Sequence, residues 1–448
     1  MATAAAPARE LHLNVNILGG LGLHPGAWRW PAADPLSFLD VDSYVRAART
    51  AERGLLDAVF LADSPGIVQN VADVPPYNGI EPTLLLTAIA RETTRIGLIG
   101  TASTTYNEPY NIARRFLGLD VLSGGRVAWN AVTTYNAHSA RNFGAGEPTR
   151  AQRYARGNEF VHVVRELWQS WRSDAILADR TTGRFADPDR IRPVRHRGAH
   201  FTVHGPLTLP GSPQGFPVIF QAGGGVEGRE LAARFADAVF AAPEDLAAAG
   251  AATARLRAQA AAFGRDPNAI RVLPGLRTTI GGTEEEAWRR RDQLADLTDR
   301  SGELATLAAR LGVPSAALDL DGPVPPGLLR AAPQPGGGEA EERARRLAAR
   351  GLTVRALLGR GLGAGYFDIV GTPEQIADRI QLWFESRAVD GFNLMPDVLA
   401  DGLPALVDEV VPILRRRGLF RTEYRGSTLR AHYGLPLPGR HPATATTG

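Results

Sequence analysis

Short apolar runs alternate with longer amphipathic stretches along most of this 448-residue chain. Continuous apolar runs are typical of buried parallel strands, and amphipathic stretches are typical of helices that pack on one face. The pattern predicts strands at 11–18, 56–63, 95–103, 126–132, 216–222, 236–242, 270–280 and 390–396. It predicts helices at 43–54, 81–94, 111–125, 151–171, 226–235, 243–264, 372–386 and 403–418.

Eight strands, nearly all followed by helices, favour a TIM (β/α)8 barrel, with an open doubly wound sheet as the alternative. Two stretches, 173–215 and 283–370, do not follow the alternation. Neither shows enough continuous apolar pattern for a core of its own. We therefore expect one domain over residues 1–448, with both stretches as insertions on the barrel.

The composition, 44% hydrophobic and 22% charged, is that of a soluble globular protein. The net charge of +3 is small, and no basic stripe with interleaved aromatic residues is present, so nucleic acid is not an expected partner. No window approaches eighteen uninterrupted apolar residues, and the first residues lack the pattern of a secretory signal. A cytoplasmic location without membrane contact is therefore predicted.

The chain has no cysteine and no lysine. This excludes thiolate metal sites, cysteine nucleophiles and Schiff-base chemistry on lysine. The nine histidines show no HExxH motif or other metal spacing, so no metal site is expected. Neither a GxSxG motif, a nucleoside triphosphate loop nor a GxGxxG turn after the first strand occurs. We therefore expect a bound cofactor to perform the chemistry.

Polar residues follow several predicted strands, at the end where barrel enzymes place their active sites. They include Asp63, the run from Thr101 to Thr105, and Asn130. After the fifth strand, "QAGGGVEG" delivers Gly223, Gly224 and Gly225 to a helix start, where free backbone N–H groups can hold a phosphate. Each feature taken alone is equally typical of an ordinary loop or helix cap.

Several longer stretches resemble one enzyme family. They include "GLGLHPGAWRWPAADP" (20–35), "ERGLLDAVFLADS" (52–64), "SGGRVAWNAVTT" from residue 123, "GFPVIFQAGGGVEGRELAAR" (215–234) and "GTPEQIADRIQLWFESRAVDGFNL" (371–394). The chain resembles the nitrilotriacetate monooxygenase and dibenzothiophene-sulfone monooxygenase branch of the bacterial-luciferase-like flavin monooxygenases. The matching stretches occur in the same order as in that family. The stretch 283–370 matches the family least.

The resemblance implies a TIM barrel that binds reduced FMN (FMNH2) and uses O2 to oxygenate a small organic substrate. It implies a separate NAD(P)H-dependent flavin reductase as partner, and we expect a homo-oligomer. Two alternatives stay open. One is an F420-dependent oxidoreductase on the same barrel, and the other is a non-catalytic flavin-binding subunit.

Family positions carried onto this chain give the expected cofactor contacts. On the isoalloxazine side these are Asp63, Ser103, Thr104, Asn130 and Thr133. At the phosphate end they are Arg150, Tyr154, Gly223, Gly224 and Gly225. Two departures from the family are visible: Arg150 stands where a histidine is common, and the glycine run replaces small hydroxyl residues and leaves only backbone donors.

Three residues are candidates for a catalytic role. Asn130 lies within the fourth predicted strand, near its end; His24 follows the first strand and His138 follows the fourth. For both histidines, a place in an ordinary packed loop is the alternative interpretation.

Overall fold

A computed structural model describes residues 9–67, 70–76, 79–144, 146–243, 245–298, 300–330, 344–359 and 367–438. Its strands are β1 (His12–Asn16), β2 (Ala58–Leu61), β3 (Gly97–Ser103), β4 (Val127–Val132), β5 (Ile176–Asp179), β6 (Arg184–Ala186), β7 (His196–Arg197), β8 (Thr202–Val203), β9 (Val218–Ala222), β10 (Ala238–Ala241), β11 (Arg271–Ile280), β12 (Phe367–Gly371) and β13 (Gly391–Pro396).

Eight of these strands form a closed parallel barrel in the order β10-β9-β4-β3-β2-β1-β13-β11, and the pairing of β10 with β11 closes the ring. All eight predicted strands are present. The predicted TIM barrel is therefore confirmed, and the alternative of an open sheet is wrong.

The helices are α1 (Val41–Arg53), α2 (Pro82–Glu92), α3 (Pro109–Ser123), α4 (Ala137–Asn142), α5 (Arg150–Trp168), α6 (Gly225–Phe235), α7 (Leu246–Ala262), α8 (Glu284–Asp296), α9 (Arg300–Leu311), α10 (Val354–Gly359), α11 (Pro373–Glu385), α12 (Leu399–Ala405), α13 (Val411–Arg416) and α14 (Leu429–His432). A π-helical turn, Leu406–Val410, joins α12 to α13. None of the helices in the described part of the chain is long and apolar enough to cross a membrane.

Side chains of each barrel strand alternate between two apolar layers, one between the barrel and the helices and one inside the barrel. Leu13 and Val15 of β1 belong to the large core between barrel and helices, whereas Phe60 and Phe220 belong to a smaller cluster inside the barrel. Successive side chains of a strand point to opposite faces, so every second residue of β1 faces the barrel interior. That inner row is polar in β1, where Asn14 and Asn16 alternate with the outward aliphatic residues.

The first insertion, 173–215, contains two short antiparallel hairpins, β5–β6 and β7–β8. The second contains α8, α9, α10 and β12, which pairs in parallel with the outer part of β11. This extra strand was not predicted.

The expectation that neither insertion has a core is wrong for the second, which holds its own buried cluster around Leu307, Leu311 and Val354. Its apolar positions are spaced as on helices and separated by Pro and Gly, so the sequence shows no continuous apolar run. The assignment of residues 1–448 to one domain stays a prediction.

The C-terminal segment covers the N-terminal end of the barrel. Tyr433 Oη donates a hydrogen bond to Asn14 Oδ1 at 2.6 Å, and Asn14 Nδ2 donates to Asn393 Oδ1 at 2.9 Å. Arg271, the first residue of β11, donates to the carbonyl oxygen of Tyr433 at 2.8 Å. This end of the barrel is closed, so an opening for ligands lies at the other end.

Candidate active site

A cavity of about 1010 Å³ opens at the C-terminal ends of six barrel strands. Each of these strands contributes an inward-facing residue to its lining: Asn16, Phe60, Thr101, Asn130, Ala222 and Phe240. The loops after β2, β4 and β9 and the first turns of α5 and α6 complete the walls. This is the end of the barrel at which the sequence places its polar residues, and where enzymes with this fold bind their substrates.

The floor of the cavity carries two amide oxygens without partners. Asn130 Nδ2 donates to Thr101 Oγ1 at 2.9 Å, while Asn130 Oδ1 and Asn16 Oδ1 have no hydrogen-bond partner among the described residues. Both side chains are buried. A buried acceptor without a donor costs about 1–3 kcal/mol, so the floor is suited to a ligand that carries N–H groups.

Three consecutive glycines form one end of the cavity: Gly223 and Gly224 lie between β9 and α6, and Gly225 is the first residue of α6. Gly224 is the N-cap of α6 and has no side chain to accept from the free N–H groups of the first turn. Gly225 has a φ of 79°, and a Cβ there would collide with the guanidinium of Arg150. A Cβ on Gly223 would lie 2.8 Å from Tyr154 Oη. The loop thus presents bare backbone donors to the cavity.

Arg150 joins this loop to the start of α5. Its Nε donates to Glu227 Oε2 at 2.9 Å and its Nη2 donates to the carbonyl oxygen of Gly224 at 2.7 Å. Its guanidinium also lies 5.5 Å from the ring centre of Tyr154. Arg153 and Arg229 line the same end of the cavity, which therefore carries an excess of positive charge suited to an anion.

Asp63 lines this cavity and also a second pocket of about 320 Å³. Burial, together with the charge of Glu81 in the smaller pocket, raises the pKa of Asp63 to about 6. This carboxyl group therefore changes between a hydrogen-bond donor and an acceptor close to neutral pH.

Six other predicted site residues lie around the same cavity: Asn130, Thr133, Tyr154, Gly223, Gly224 and Gly225. Ser103 and Thr104 are buried behind it. Ser103 Oγ accepts from the backbone N–H of Thr105 at 3.0 Å, and Thr104 Oγ1 donates to the carbonyl oxygen of Val132 at 3.2 Å. These two hydroxyls hold the strand ends in place and do not line the cavity.

The two candidate histidines do not line the cavity either. His138 is an exposed residue of α4, and its Nδ1 lies 3.1 Å from a guanidinium nitrogen of Arg141. His24 Nδ1 accepts from the backbone N–H of Gly26 at 3.1 Å. Burial and the guanidinium groups of Arg291 and Arg277 lower the pKa of His24 to about 3, so its ring is neutral at physiological pH.

The sequence did not indicate several residues that line the cavity, among them Asn16, Phe60, Arg153, Arg229 and Phe240. The alternation of His12, Asn14 and Asn16 along β1 carries a signal, because polar residues at every second position mark the inner face of a barrel strand. No sequence signal marks Arg153 and Arg229, because many other arginines of the chain have similar neighbours in the sequence.

The pattern of luciferase-like monooxygenases matches residues 22–391. The chain belongs to the luciferase-like monooxygenase family. It is 42% identical over 434 residues to N-acetyl-S-(2-succino)cysteine monooxygenase of Bacillus subtilis (strain 168), covering 96% of this chain and 98% of the relative. It is 43% identical over 432 residues to component A of nitrilotriacetate monooxygenase of Aminobacter aminovorans, covering 93% and 95%.

Solved structures agree with this membership. The EDTA monooxygenase of Chelativorans sp. BNC1 superposes with a TM-score of 0.81 at 35% identity and covers 96% of this chain and 99% of that one. The predicted family branch and the predicted enzyme class, a monooxygenase, are confirmed. An F420-dependent reductase of Methanopyrus kandleri has a TM-score of 0.56 at 15% identity, so the likeness to it shows the fold alone.

Proposed function

We propose that this monooxygenase is the oxygenase of a two-component system, which takes FMNH2 from a separate NAD(P)H-dependent flavin reductase and uses O2 to oxygenate a small organic molecule. One combination of features carries the proposal. One end of the cavity has the backbone N–H groups of the three glycines and nearby arginines, which suit an anion, and the floor has amide oxygens without partners. The membership in the luciferase-like family supports it.

The residues present fit FMN. The phosphate would lie on the backbone of Gly223, Gly224 and Gly225, with Arg153 and Arg229 supplying positive charge and Tyr154 a phenolic hydroxyl. The isoalloxazine has N–H groups along one edge, and these donors match the free acceptor oxygens of Asn16 and Asn130. Phe60 and Phe240 give the floor apolar surface for a planar ring.

Bound FMNH2 supplies the two electrons with which O2 is activated and one oxygen atom is transferred. The chain's own contribution is to bind the flavin, to orient it over the strand ends and to keep water from the reacting atoms. Asn130 is the proposed contact on the reacting side. Asp63 is the group there that can hold or release a proton near neutral pH, because of its raised pKa.

A separate reductase is part of the proposal because the GxGxxG spacing of the sequence, at Gly223, Gly225 and Gly228, coincides with the proposed site for the FMN phosphate, and the sequence has no second such turn for a nicotinamide dinucleotide. Component A in the name of the Aminobacter relative also denotes one part of a larger system. The homo-oligomeric state and the cytoplasmic location stay predictions.

The test is a single turnover without nicotinamide. The protein is mixed anaerobically with chemically reduced FMN and nitrilotriacetate or another candidate substrate, and O2 is then admitted. We expect one oxygenated product per bound flavin, and no oxidation of NADH or NADPH when the chain is incubated with oxidised FMN. Sustained oxidation of either nicotinamide by this chain alone would contradict the two-component proposal.

The same preparation separates FMN from F420. We expect FMNH2 to bind more tightly than reduced F420, because the bare glycine loop and adjoining arginines receive a terminal phosphate. Tighter binding of F420 would overturn the cofactor assignment while leaving the family membership intact.

A further inference from the structure

The middle of α5 and the β7–β8 hairpin of the first insertion meet at a cluster of histidine and glutamate side chains. His162 and Glu166 are one helical turn apart on α5, and His196 begins β7. One ligand-type atom from each lies within 4.8 Å of the other two. His196 is distant in the sequence from the two helical residues, and only the folded chain brings it to them.

We propose that His162, Glu166 and His196 form a binding site for one Zn²⁺ ion that fastens the β7–β8 hairpin to α5. Two imidazoles and a carboxylate form a ligand set that zinc favours, with one further position for water. The site lies on a part of α5 different from the first turns, which line the large cavity. Its occupancy is therefore independent of the proposed flavin function.

The hydrogen bonds of His196 decide which of its nitrogen atoms faces the cluster. Its Nε2 lies 3.0 Å from Glu159 Oε1. An ionised carboxylate only accepts hydrogen bonds, so Nε2 carries the hydrogen and a neutral ring has its lone pair on Nδ1. That Nδ1 lies 4.0 Å from Glu166 Oε2. In the neutral ring this nitrogen and the Glu166 carboxylate are two lone-pair donors that one cation between them can bind.

Glu159 is itself held firmly, as the partner behind a metal-binding histidine usually is. Its carboxylate accepts from the backbone N–H groups of His200 at 3.0 Å and Phe201 at 2.9 Å. Gly198 lies against it so closely that a Cβ there would collide with Oε1. The hairpin thus fixes Glu159, and Glu159 fixes the orientation of the His196 ring.

The remaining two side chains have the freedom to close on an ion. His162 Nε2 lies 3.4 Å from Glu166 Oε1, and these side chains are 51% and 41% exposed, whereas His196 is 14% exposed. Zinc bonds of about 2 Å bring tetrahedral ligand atoms to within about 3.3 Å of each other. Small rotations of the two exposed helical side chains toward the fixed imidazole achieve this spacing.

The test measures Zn²⁺ binding by the full chain after removal of metals, in competition with a chromophoric zinc indicator. We expect one tight site per chain in the wild type. Glu166→Gln, on the exposed face of α5, removes a charged ligand without disturbing the fold. It and His162→Ala should each weaken binding by more than the roughly 10- to 100-fold that loss of a partner behind a ligand costs.

Two further variants distinguish a built site from general surface binding. His200→Ala is the matched control, because His200 is an exposed histidine of the same hairpin and contributes only its backbone N–H to Glu159. It should bind Zn²⁺ as the wild type does. Glu159→Gln should weaken binding by roughly 10- to 100-fold.

A spectrum and a melting curve complete the test. Co²⁺ in the wild type should give the visible bands of tetrahedral coordination, lost in His196→Ala, and Zn²⁺ should raise the melting temperature of the wild type but not of Glu166→Gln. If the wild type fails to compete with the indicator, or if Glu166→Gln binds Zn²⁺ equally well, the proposal is overturned. In that case His196 serves only as a contact between the β7–β8 hairpin and two glutamates of α5.

Discussion

Strand β2 has an aspartate at each end, and the two have opposite surroundings. Asp57 precedes the strand at the closed end of the barrel, is fully buried, and pairs with Arg421 and with His12 at 3.2 Å. Burial would raise the pKa of Asp57, but Arg421 and His12 outweigh this effect and lower it to about 2. Asp63 follows the strand at the open end, where burial and Glu81 raise its pKa to about 6.

The opposite pKa shifts of Asp57 and Asp63 reflect two different roles: we infer that the closed end of the barrel stabilises the fold and that the open end binds a ligand. At the closed end, charges are balanced and the polar groups of Asn14, Tyr433 and Asn393 bond to one another. At the open end, Asn16 and Asn130 keep free acceptors and Asp63 has a carboxylate neighbour instead of a cation. The open end therefore has unused hydrogen-bond acceptors, which the proposed flavin would engage.

The largest expected effect is at the closed end. Arg421→Met leaves the buried charge of Asp57 without its main partner, which costs about 3–5 kcal/mol of unfolding free energy. Urea unfolding at pH 7 measures this loss. The control is Arg53→Ala, because the pair of Arg53 and Asp408 is half-exposed and contributes about 0–1 kcal/mol.

The same pair predicts the acid side of the stability curve. The pKa of Asp57 is lower in the folded state than in the unfolded chain, so its contribution to stability is present above about pH 4 and is lost as the pH falls toward about 2. Equal urea midpoints for wild type and Arg421→Met would show that Asp57 does not need this partner.

The next largest effect is on flavin binding at the open end. Gly224 has a φ of −87° and nothing within 4 Å of an added Cβ, so a side chain is accommodated there. Gly224→Asp brings a negative charge to the proposed phosphate cradle and should weaken FMN binding by about 1–4 kcal/mol. The neutral Gly224→Asn has nearly the same shape and is the matched control.

Riboflavin, which has no phosphate, distinguishes charge repulsion from general disruption. We expect Gly224→Asp to bind riboflavin nearly as the wild type does, as measured by quenching of flavin fluorescence. A loss of affinity that is equal for FMN and riboflavin would place the phosphate elsewhere.

A feature of this molecule was predictable from the sequence when residues close together in the chain determine it. The eight strands were predictable because alternation of short apolar runs and amphipathic helices is local and repeated. The place of Asp63 and Asn130 in the cavity lining was predictable because the strand ends of a barrel converge. The position of His24 away from the cavity was not predictable. The loop after β1 turns toward α8, where Gly26 packs against Leu294 and Leu297.

Other parts depended on contacts between distant segments. The separate core of the second insertion and the extra strand β12 have no continuous apolar signal. The cluster of His162, Glu166 and His196 joins a helix to a hairpin, so no spacing motif reveals it and the sequence predicted no metal site. Arg150 was predicted at the phosphate end, but its bonds to Glu227 and Gly224 depend on how α5 meets α6.

Asn14 and Asn16 lie on the same strand, β1, but Asn14 is at the closed end of the barrel and Asn16 is at the open end. Variants of the two residues therefore test the difference between the ends. Asn14→Ala leaves Tyr433 Oη and Asn393 Oδ1 without a partner and should cost about 1–3 kcal/mol of unfolding free energy. Asn16→Ala removes an oxygen that has no partner, so stability should change little, while FMN affinity should fall by about 0.5–1.5 kcal/mol. Unfolding curves and flavin titrations of both variants check this. Similar losses of stability for both variants would contradict the comparison.

The smallest expected effect concerns Asp63 and pH. Its folded pKa of about 6 lies above that of an aspartate in the unfolded chain, so the folded state binds more protons between about pH 4 and pH 6. Stability from this group is therefore full below about pH 4 and is lost as the pH rises through about 6. Asp63 is only half-buried, and solvent screening limits the change to about 1 kcal/mol or less.

Two variants isolate this effect from the many other groups that titrate. Asp63→Asn should flatten the fall in melting temperature between pH 4.5 and pH 6.5 relative to the wild type. Glu81→Gln removes the second cause of the raised pKa and keeps an oxygen that caps α2 at Thr83 and Leu84, so the inflection should move to lower pH. If Asp63→Asn follows the wild-type curve throughout, Asp63 is ionised over the whole range. The two ends of β2 would then differ only in which groups surround the same charge.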